Sequence, residues 1–312
     1  MSIALRDQVL RDAADARPLA GLSGASVYLV TRDGRHWFVR KAARSVETSP
    51  RLKAQARKQR RFELQTGELM RTPRILDEGT IEGRYFFDME FVRGPDATSY
   101  LRQATYAQVA SFTDRLTDYL AAASTQAPLA PPAFGGLFEA LFAKLCEVQQ
   151  RTQLLAAADL ARLFLALETV RSLPNLTPTL CHGDLTLQNM IVTEDGALWA
   201  VDLLDSSFEH YWQDVAKLHQ DLAGGWFLRE EPPVAQCVLD FVSRRVLSAC
   251  ARLAPGYLNI HFLLVGMAFV RILPYARSDQ QRQFVAERIE YFAQRCLLAA
   301  GTGAAEAPAK RG

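Results

Sequence analysis

The residues of this chain with the clearest chemical potential lie in one short segment of its second half. Residues 182–189 read HGDLTLQN, and Asp202 follows after an apolar run. Phosphoryl transfer requires a carboxylate beside the attacking hydroxyl and oxygen ligands for the magnesium ion that neutralises a triphosphate. Asp184, Asn189 and Asp202 are of the right types to supply both. The spacing therefore predicts a phosphoryl-transfer site centred on Asp184.

A predicted β-hairpin places two of these residues side by side. Short β-prone runs at 190–192 and 198–201 flank the turn TEDG. Asn189 leads into the first strand and Asp202 ends the second, so the hairpin brings two oxygen ligands to one hard cation. Asp205, a few residues farther on, is an alternative metal ligand. An HGD sequence can also be a plain turn whose aspartate accepts backbone hydrogen bonds, but the position of Asp202 favours the metal site.

This segment resembles the catalytic loop of the aminoglycoside phosphotransferase family, a group of protein-kinase-like small-molecule phosphotransferases that includes choline, homoserine and fructosamine kinases. The resemblance implies that Asp184 is the base or orienter of the substrate hydroxyl and that Asn189 and Asp202 bind magnesium. It also implies that Asp214 braces the catalytic loop and is not a ligand. The specific part of the resemblance runs from residue 182 to about 222, and the architecture of nearly the whole chain agrees with it.

The first part of the chain has the pattern of a small antiparallel sheet. Two β-prone runs, 26–30 and 36–40, flank a DG turn, and residues 80–92 repeat the pattern around an EG turn. Residues 50–71, rich in Lys, Arg, Gln, Glu and Leu, predict one helix between the two hairpins. We therefore expect an N-terminal nucleotide-binding lobe over residues 1–92.

The rest of the chain is predicted to be mainly α-helical. Alanine- and leucine-rich stretches predict helices at 98–127, 138–173, 234–253, 257–276 and 279–300. The fold class is α+β: a bilobal, protein-kinase-like fold with a small N-terminal antiparallel sheet and one helix, followed by a larger helical lobe. The expected division is a C-terminal lobe with the catalytic loop and metal site over 93–300 and a disordered tail over 301–312.

The N-terminal lobe is expected to bind the phosphates of a nucleotide. The run FVRK, which ends at Lys41, resembles the strand pattern in which a lysine contacts the α- and β-phosphates, and this implies the same role for Lys41. Arg40 points to the opposite face of the strand and is the alternative. The family usually pairs the lysine with a helix acid. Up to residue 63 the helix offers one carboxylate, Glu63, which comes late; either it pairs with Lys41 or a glutamine, Gln55 or Gln59, replaces the acid.

Two further segments are expected to contact the nucleotide. The turn GLSGAS before the first strand is placed like the phosphate-covering turn of the family, and its small residues Ser23, Gly24 and Ser26 would let backbone N–H groups approach the anion. The turn departs from both the GxGxxG and the Walker patterns. Backbone groups of Glu90 and Val92, where the two lobes join, would face the adenine edge.

The overall composition excludes several other classes of protein. The 312 residues are 49% hydrophobic and 22% charged with a formal net charge of +2, which is ordinary for a globular protein and too mild to indicate nucleic-acid binding. A basic run at 53–61 could attract a polyanion, but a solvated helix face is the more frequent explanation. The apolar run 258–273 is broken by polar residues and predicts a buried helix, not a membrane span. Early charges argue against a targeting peptide, and five scattered cysteines favour a cytoplasmic protein.

The acceptor is expected to be a small molecule with a hydroxyl group. Aminoglycosides are polycations that need an acidic pocket, whereas the segments after Asp214 mix acids with arginines. Aromatic residues close behind the metal motif include Trp212, Trp226 and Phe227. Such side chains hold sugars or quaternary amines in some proteins, and in others they simply pack in the core.

These observations predict a phosphotransferase that depends on Mg²⁺ and moves the γ-phosphoryl group of ATP or GTP to a sugar-like or amino-alcohol metabolite. The alternative is a non-catalytic relative that binds a nucleotide or metabolite as a regulator, which would not need the base Asp184. A protein kinase is disfavoured because the segment between Asp202 and Asp214 is too short for an activation segment. The sequence leaves the oligomeric state open.

Overall fold

A computed structural model describes residues 7–19, 25–129, 136–171, 173, 176–206, 208–227 and 233–304. The described chain forms a β-rich N-terminal lobe and a larger α-helical C-terminal lobe, so the predicted α+β, bilobal fold class is confirmed. The N-terminal lobe is an antiparallel sheet in the order β1-β2-β3-β5-β4 with one helix beside it. Its elements are β1 (Asp15–Pro18), β2 (Ala25–Thr31), β3 (Trp37–Ala43), α1 (Ser49–Thr66), β4 (Ile75–Ile81) and β5 (Arg84–Glu90).

The first hairpin of this sheet follows from its turn residues. Asp33 Oδ1 accepts the backbone N–H of His36 at 2.8 Å, and Gly34 takes a φ of 76°, which a glycine adopts without strain. The strands on either side then pair with Val27 opposite Lys41. This register sets Lys41 on β3, the central strand of the sheet.

Two boundaries of the N-terminal lobe differ from the sequence prediction. β1 was not predicted, because a strand of four residues that ends in a proline carries almost no periodic signal. α1 ends at Thr66, before the expected end at residue 71, because Gly67 adopts a φ of 52° and stops the helix.

The C-terminal lobe contains eight of the helices in the described residues and one short hairpin. The helices are α2 (Ala97–Gln103), α3 (Tyr106–Ala123), α4 (Leu137–Thr152), α5 (Ala157–Arg171), α6 (Tyr211–Leu222), α7 (Gln236–Leu253), α8 (Tyr257–Val270) and α9 (Asp279–Ala304). The hairpin consists of β6 (Met190–Val192) and β7 (Leu198–Ala200), as predicted. α6 was not predicted, and α9 continues four residues past the expected end at residue 300, into the segment expected to be a disordered tail.

Two predicted helices are each divided in the structure. The predicted helix 98–127 is split because Thr105 and Gln108 form a capping box at the start of α3, in which the Gln108 side chain accepts the Thr105 N–H at 2.8 Å. The predicted helix 138–173 is split at Gln153, whose left-handed φ of 53° ends α4. Apolar periodicity alone overlooks both of these local signals.

The central helix of the C-terminal lobe is α8. It packs against α6, α7 and α9, and Leu263, Val265 and Phe269 are fully buried in it. Within the described part of the chain, Tyr257–Tyr275 is long and apolar enough to cross a membrane, but 72% of that apolar window is buried inside the protein. The predicted buried helix at 258–273 is therefore confirmed.

The two lobes are joined by backbone pairing and by a buried ion pair. Arg71, just beyond α1, exchanges hydrogen bonds with β7: its N–H donates to the Leu198 carbonyl at 2.9 Å, and its carbonyl accepts the Ala200 N–H at 2.7 Å. Farther back on α1, the Lys58 ammonium lies 3.0 Å from both carboxylate oxygens of Glu209, and both side chains are only 1% exposed. These contacts fix α1 against the C-terminal lobe.

The buried pair generates the first prediction. Replacing Glu209 by glutamine leaves the Lys58 charge buried and unpaired, so we expect the free energy of unfolding to fall by about 3 kcal/mol. The double variant Lys58→Met/Glu209→Leu removes both charges and should be more stable than Glu209→Gln. Urea denaturation measures each difference.

The control is Arg282→Gln, which breaks an exposed pair with Asp279 and should change the stability by less than about 0.5 kcal/mol. A Glu209→Gln variant as stable as the wild type would show that the pair does not hold the lobes together.

Candidate active site

The catalytic loop is held by one buried carboxylate on α6. Asp214 Oδ2 accepts the backbone N–H of His182 and the hydroxyl of Tyr119, each at 2.8 Å. Its other oxygen, Oδ1, accepts the backbone N–H of Gly183 at 2.8 Å. Asp214 is fully buried, and buried carboxylates require such donors. The predicted bracing role of Asp214 is therefore confirmed.

Gly183 is required by the close packing of this loop. It takes a φ of 90°, and a Cβ added there would lie 2.0 Å from the carbonyl oxygen of Leu204. No other residue fits this position, since both the backbone conformation and the space exclude a side chain. The glycine lets the loop turn so that the next residue, Asp184, faces the cleft.

His182 supports the loop as a neutral imidazole. Its Nδ1 accepts the backbone N–H of Asp184 at 3.2 Å, and its Nε2 lies 3.0 Å from the carbonyl oxygen of Val201, where it acts as the donor. Burial lowers the pKa of His182 despite the nearby Asp214 and Asp184 carboxylates. The ring links the catalytic loop to the end of β7 and does not face the cleft as an acid or base.

Asp184 is held by a lysine and an amide. Its Oδ1 lies 2.9 Å from the Lys217 ammonium, and its Oδ2 accepts the Asn189 amide at 3.2 Å. The same amide also donates to the Asp184 carbonyl at 2.8 Å. Burial alone would raise the pKa of Asp184, but the charges of Lys217 and Arg271 outweigh it and lower the pKa. Asp184 is therefore a carboxylate at neutral pH.

Lys217 is the main site residue that sequence reasoning missed. It lies on α6, one turn beyond Asp214, and its side chain is buried except for 6% of its surface. A signal was available: Asp214, Lys217 and Asp221 are spaced as one face of a helix, and the first of them was already assigned to the catalytic loop. Recognising α6 would have placed the lysine beside the loop.

Asp202 and Lys41 meet across the two lobes. Asp202 comes two residues after the end of β7 and has a left-handed φ of 61°. This conformation is strained for a residue other than glycine and is typical of functional sites. Asp202 Oδ1 forms an ion pair with the Lys41 ammonium of β3. Asn189 stands before β6, and its carbonyl accepts the Val201 N–H at 2.9 Å. As predicted, the hairpin brings Asn189 and Asp202 to one place.

The donor set at this place fits a magnesium ion. Among the residues that the structure describes, no three His, Cys, Asp or Glu side chains form a metal cluster. Magnesium is commonly bound by one or two carboxylates together with the phosphates of a substrate, and not by a cage of protein ligands. Asp202 and the amide oxygen of Asn189 are such a set, and both line the cleft. Asp205 also lines it and is exposed to solvent.

The cleft between the lobes has a volume of about 950 Å³, large enough for a nucleotide and a second small molecule. Apolar residues from both lobes line it, namely Val27, Val39, Met89, Ile191 and Val201. Glu90 and Val92 also line the cleft. The Glu90 N–H donates to the Arg74 carbonyl at 3.0 Å. A hydrogen bond between the Glu90 backbone and a nucleotide base would therefore use the Glu90 carbonyl oxygen.

The structure separates Lys41 from its neighbour Arg40. Lys41 faces the cleft, whereas Arg40 is fully buried on the other face of β3. The Arg40 guanidinium donates to both oxygens of Asp88, at 2.6 and 2.7 Å, and to Asp12. Arg40 is therefore a structural residue of the sheet, and Lys41 is the candidate phosphate ligand.

Some expected nucleotide contacts are not brought together. Glu63 is exposed on α1 and does not reach Lys41, whose ion pair is with Asp202. The reason is helix phase: the polar residues that α1 buries are Gln55, Lys58, Gln59 and Thr66. Neither glutamine is hydrogen-bonded to Lys41 in the described residues: the Gln59 amide donates to the Pro73 carbonyl at 2.6 Å, and Gln55 Oε1 has no partner.

The phosphate-covering turn lies mostly outside the described residues. Ser23 and Gly24 are both outside them. Ser26 is opposite Ala42 in the sheet, next to Val27, which lines the cleft. Since adjacent residues of a strand point to opposite faces, a contact of Ser26 with a phosphate would use its backbone.

The aromatic residues of the C-terminal lobe fall into two groups. Trp212 is a core residue, with its ring centre 5.4 Å from that of Tyr257. Trp226 and Phe227, a few residues beyond the end of α6, line the cleft. Two of the three aromatic candidates are thus placed where an acceptor could contact them.

Comparisons with known proteins agree with this geometry. Residues 15–241, which include Lys41, Asp184, Asn189, Asp202 and Lys217, match the model of the phosphotransferase enzyme family. The chain belongs to this family. A comparison with curated proteins found no match.

Solved structures share the fold at low sequence identity. The GDP complex of wild-type aminoglycoside 2'-phosphotransferase-IIIa is 16% identical with a TM-score of 0.68, over 94% of this chain and 98% of that one. A proposed fructosamine-3-kinase from Thermobifida fusca is 17% identical with a TM-score of 0.63, over 94% and 99%. The ADP-bound aminoglycoside phosphotransferase APH(2'')-Ib is 14% identical with a TM-score of 0.64, over 95% and 99%. The whole described architecture is therefore that of kinase-like small-molecule phosphotransferases.

One further acid of α6 gives this site a pH dependence. Asp221 Oδ2 accepts the backbone N–H of Leu187 in the catalytic loop at 2.9 Å, whereas Oδ1 is buried without a hydrogen-bond partner in the described part of the chain. Burial raises the pKa of Asp221 to about 7, and the nearby Asp184 carboxylate adds to this, against the opposing Leu187 N–H and Lys217 charge. Between about pH 4 and pH 7, the Asp221 carboxyl therefore keeps its proton in the folded protein and loses it in the unfolded chain.

The sign of the effect on stability follows from this difference. An unfolded aspartate titrates near pH 4, so the stabilisation linked to Asp221 is complete below about pH 4 and is lost as the pH rises through about 7. Asp221→Asn cannot ionise, and we expect its stability relative to the wild type to increase by a few kcal/mol between about pH 5 and pH 8. Urea denaturation at both pH values measures this change.

The matched control is Asp118→Asn, an exposed acid of α3, whose stability should follow the wild type at both pH values. If the Asp221→Asn and wild-type stabilities change in parallel with pH, Asp221 is already ionised in the folded protein.

Proposed function

We propose that this chain is a small-molecule kinase that depends on a nucleoside triphosphate and Mg²⁺ and transfers the γ-phosphoryl group to a substrate hydroxyl. The observation that carries the proposal is the Asp184 carboxylate, ionised and oriented by Lys217 and Asn189 at the cleft. Lys41 and Asp202 meet beside it from the two lobes. A cleft that only binds a nucleotide needs no carboxylate held in this way.

The proposed transfer is a single displacement. The acceptor oxygen forms a bond to the γ-phosphorus, the bond from that phosphorus to the β–γ bridging oxygen breaks, and the hydroxyl proton passes to Asp184. Such transition states are loose, so orientation of the hydroxyl by Asp184 matters more than its strength as a base. Asn189 fixes the rotation of the carboxylate through its hydrogen bond to Oδ2.

Charge neutralisation is divided between the lobes. Lys41 would bind the α- and β-phosphates from β3, and the Asn189 and Asp202 oxygens would hold the metal ion. When bound, Mg²⁺ supplies positive charge to the β- and γ-phosphate oxygens. Lys217 adds a second cation at Asp184, close to where the transferred group would pass. Positive charge fixed in advance at these positions lowers the barrier because no solvent has to reorganise.

The donor and the acceptor are proposed at the level of chemical class. Relatives of the same fold are recorded with GDP or ADP, which supports a purine nucleotide, ATP or GTP, as the donor here. The names of those relatives refer to aminoglycosides and to fructosamine, which supports a sugar-like or amino-alcohol acceptor. Trp226 and Phe227 are the candidate contacts for such a molecule. A cytoplasmic enzyme, consistent with its free cysteines, remains our prediction.

The second candidate function is that of a non-catalytic regulator that binds the same ligands. The Asp184 and Lys217 pair weighs against it, because a buried ion pair with one partner facing the cleft is costly to maintain without a chemical role. The two candidates differ in turnover and not in nucleotide binding.

The Asp184→Asn variant tests the proposal. The amide keeps the shape of the side chain but cannot take the proton, so we expect nucleoside diphosphate release with hydroxylated metabolites to fall about 10²- to 10⁴-fold. Nucleotide affinity, measured by calorimetry, should stay within about threefold because Asp184 is not a phosphate ligand. Asp118→Asn, far from the cleft on α3, is the control and should retain full activity.

A screen of sugars, amino alcohols and aminoglycosides with Mg²⁺ and ATP or GTP decides between the two functions. Silence across the screen, with nucleotide still bound, would favour the regulator over the kinase.

The Lys217→Met variant tests the second cation. Loss of this charge should lower kcat about 10²-fold. It should also raise the pKa of Asp184, since Lys217 helps to lower it. Activity requires the ionised carboxylate, so the fall in kcat/KM at acidic pH should begin at a higher pH in the variant.

A pH–rate profile measures the acidic limit of kcat/KM. In Lys217→Arg this limit should return part of the way to the wild-type value. Lys53→Met, an exposed lysine of α1, is the control. An unchanged acidic limit in Lys217→Met would rule out electrostatic control of Asp184 by this residue.

A further inference from the structure

We infer that the acceptor of this enzyme carries an anionic group, a carboxylate or a phosphate, in addition to the hydroxyl that is phosphorylated. The inference rests on the proposed function for the use of the cleft and goes further by naming the charge of the acceptor. It is drawn from four cations that line the cleft beyond Asp184, which we call the basic wall: Lys144, Arg151, Arg271 and Arg277.

The first half of the basic wall is one face of α4. Lys144, Val148 and Arg151 line the cleft together with Glu147, at the spacing of neighbours on one side of a helix. Lys144 is paired with Glu147. Arg151 has no carboxylate partner among the described residues, and its guanidinium lies 5.8 Å from the ring centre of Tyr275.

The second half follows the end of α8. Arg271 comes directly after the helix, and Arg277 follows the short 3₁₀ helix Leu273–Tyr275, which packs against α4. Ile272 is buried beneath this segment, so it is fixed to the core and not a free loop. The two halves of the basic wall thus face the same part of the cleft.

Arg271 is the residue that points to a ligand. Its Nη1 is buried without a hydrogen-bond partner in the part of the chain that the structure describes. A buried guanidinium nitrogen of this kind is costly unless an acceptor reaches it. Its charge also acts on Asp184, where it helps to lower the pKa. An anionic group bound at Arg271 would therefore lie close to the carboxylate that orients the hydroxyl.

Among the described residues, the charges that line the cleft favour an anion over a polycation. Lys217 is paired with Asp184, and Lys144 is paired with Glu147. Arg151, Arg271 and Arg277 remain without carboxylate partners among the described residues, and the described acids of the cleft without an ion pair are Glu90 and Asp205. An acceptor with several amines would be repelled here, whereas a carboxylate or phosphate can accept two parallel hydrogen bonds from one guanidinium.

The nucleotide phosphates are a less suitable partner for the basic wall. Lys41 and the metal donors Asn189 and Asp202 already supply a site for phosphates and a metal ion, with Lys41 on β3 of the N-terminal lobe. The basic wall lies on α4 and beyond α8, entirely in the C-terminal lobe. It is placed to recognise the acceptor.

The test compares glucose with glucose-derived acceptors of different charge. Gluconate, glucose 6-phosphate, glucose and glucosamine are titrated by calorimetry into the full chain with Mg²⁺ and a non-hydrolysable ATP analogue. We expect gluconate or glucose 6-phosphate to bind at least about tenfold more tightly than glucose or glucosamine. The two anions distinguish a carboxylate site from a phosphate site.

Variants assign the preference to the basic wall. Arg271→Gln should weaken binding of the preferred anion about tenfold or more and leave that of glucose and of the nucleotide analogue within about twofold. If Arg271→Gln folds poorly, the double variant Arg151→Gln/Arg277→Gln serves the same purpose at exposed positions. Arg252→Gln, on the exposed side of α7, is the matched control and should change nothing.

The outcomes separate this inference from the proposed function. Any of three results overturns the inference, even if sugars are phosphorylated: glucosamine binds most tightly, anion binding persists after both sets of substitutions, or neither anion binds at millimolar concentration. If the anion binds through the arginines but is not phosphorylated, the inference is supported and only the kinase proposal is contradicted. Where turnover occurs, Arg271→Gln should raise the KM for the anionic acceptor more than it lowers kcat.

Discussion

The geometry of the active site depends on the Asp214 carboxylate more than on any other single group. It accepts the N–H groups of His182 and Gly183 and the hydroxyl of Tyr119 in a site without exposure to solvent. These donors would otherwise be buried and unpaired, so folding of the loop and pairing of the carboxylate are one event. Because Gly183 has no side chain, the loop can pack against the Leu204 carbonyl. Asp184 then lines the cleft.

The same logic explains why the two lobes form one site. Lys58 of α1 is paired with Glu209, so the helix is fixed to the segment that follows the metal-binding residues. Arg71 pairs with β7, so the sheet is fixed to the hairpin that carries Asp202. Lys41 reaches Asp202 only because both attachments hold. The charged residue that α1 buries is Lys58, whereas its acid Glu63 is exposed.

Features of the fold and the site that depend on neighbouring residues in the chain were easier to predict than those that depend on contacts between distant residues. The hairpin that joins Asn189 to Asp202 is local, so strand propensity and one turn were enough to place both residues. Lys217 was missed because α6 was not recognised, and Glu63 was placed wrongly because the face that α1 buries is decided by packing on the other lobe. The breaks in the long helices were encoded locally, in the capping box at Thr105 and the turn at Gln153, and were overlooked in favour of periodicity.

The distribution of charge around Asp184 links the chemistry to the choice of acceptor. Lys217 and Arg271 both lower its pKa, one by contact and one through its field. A cation that is only structural would be satisfied by the carboxylate it meets, as Lys58 is by Glu209. Arg271 has no such partner among the described residues and keeps a buried nitrogen unpaired. An unpaired guanidinium nitrogen is unfavourable in a buried position. An anionic group of the substrate would pair with Arg271 and remove this penalty beside the catalytic carboxylate.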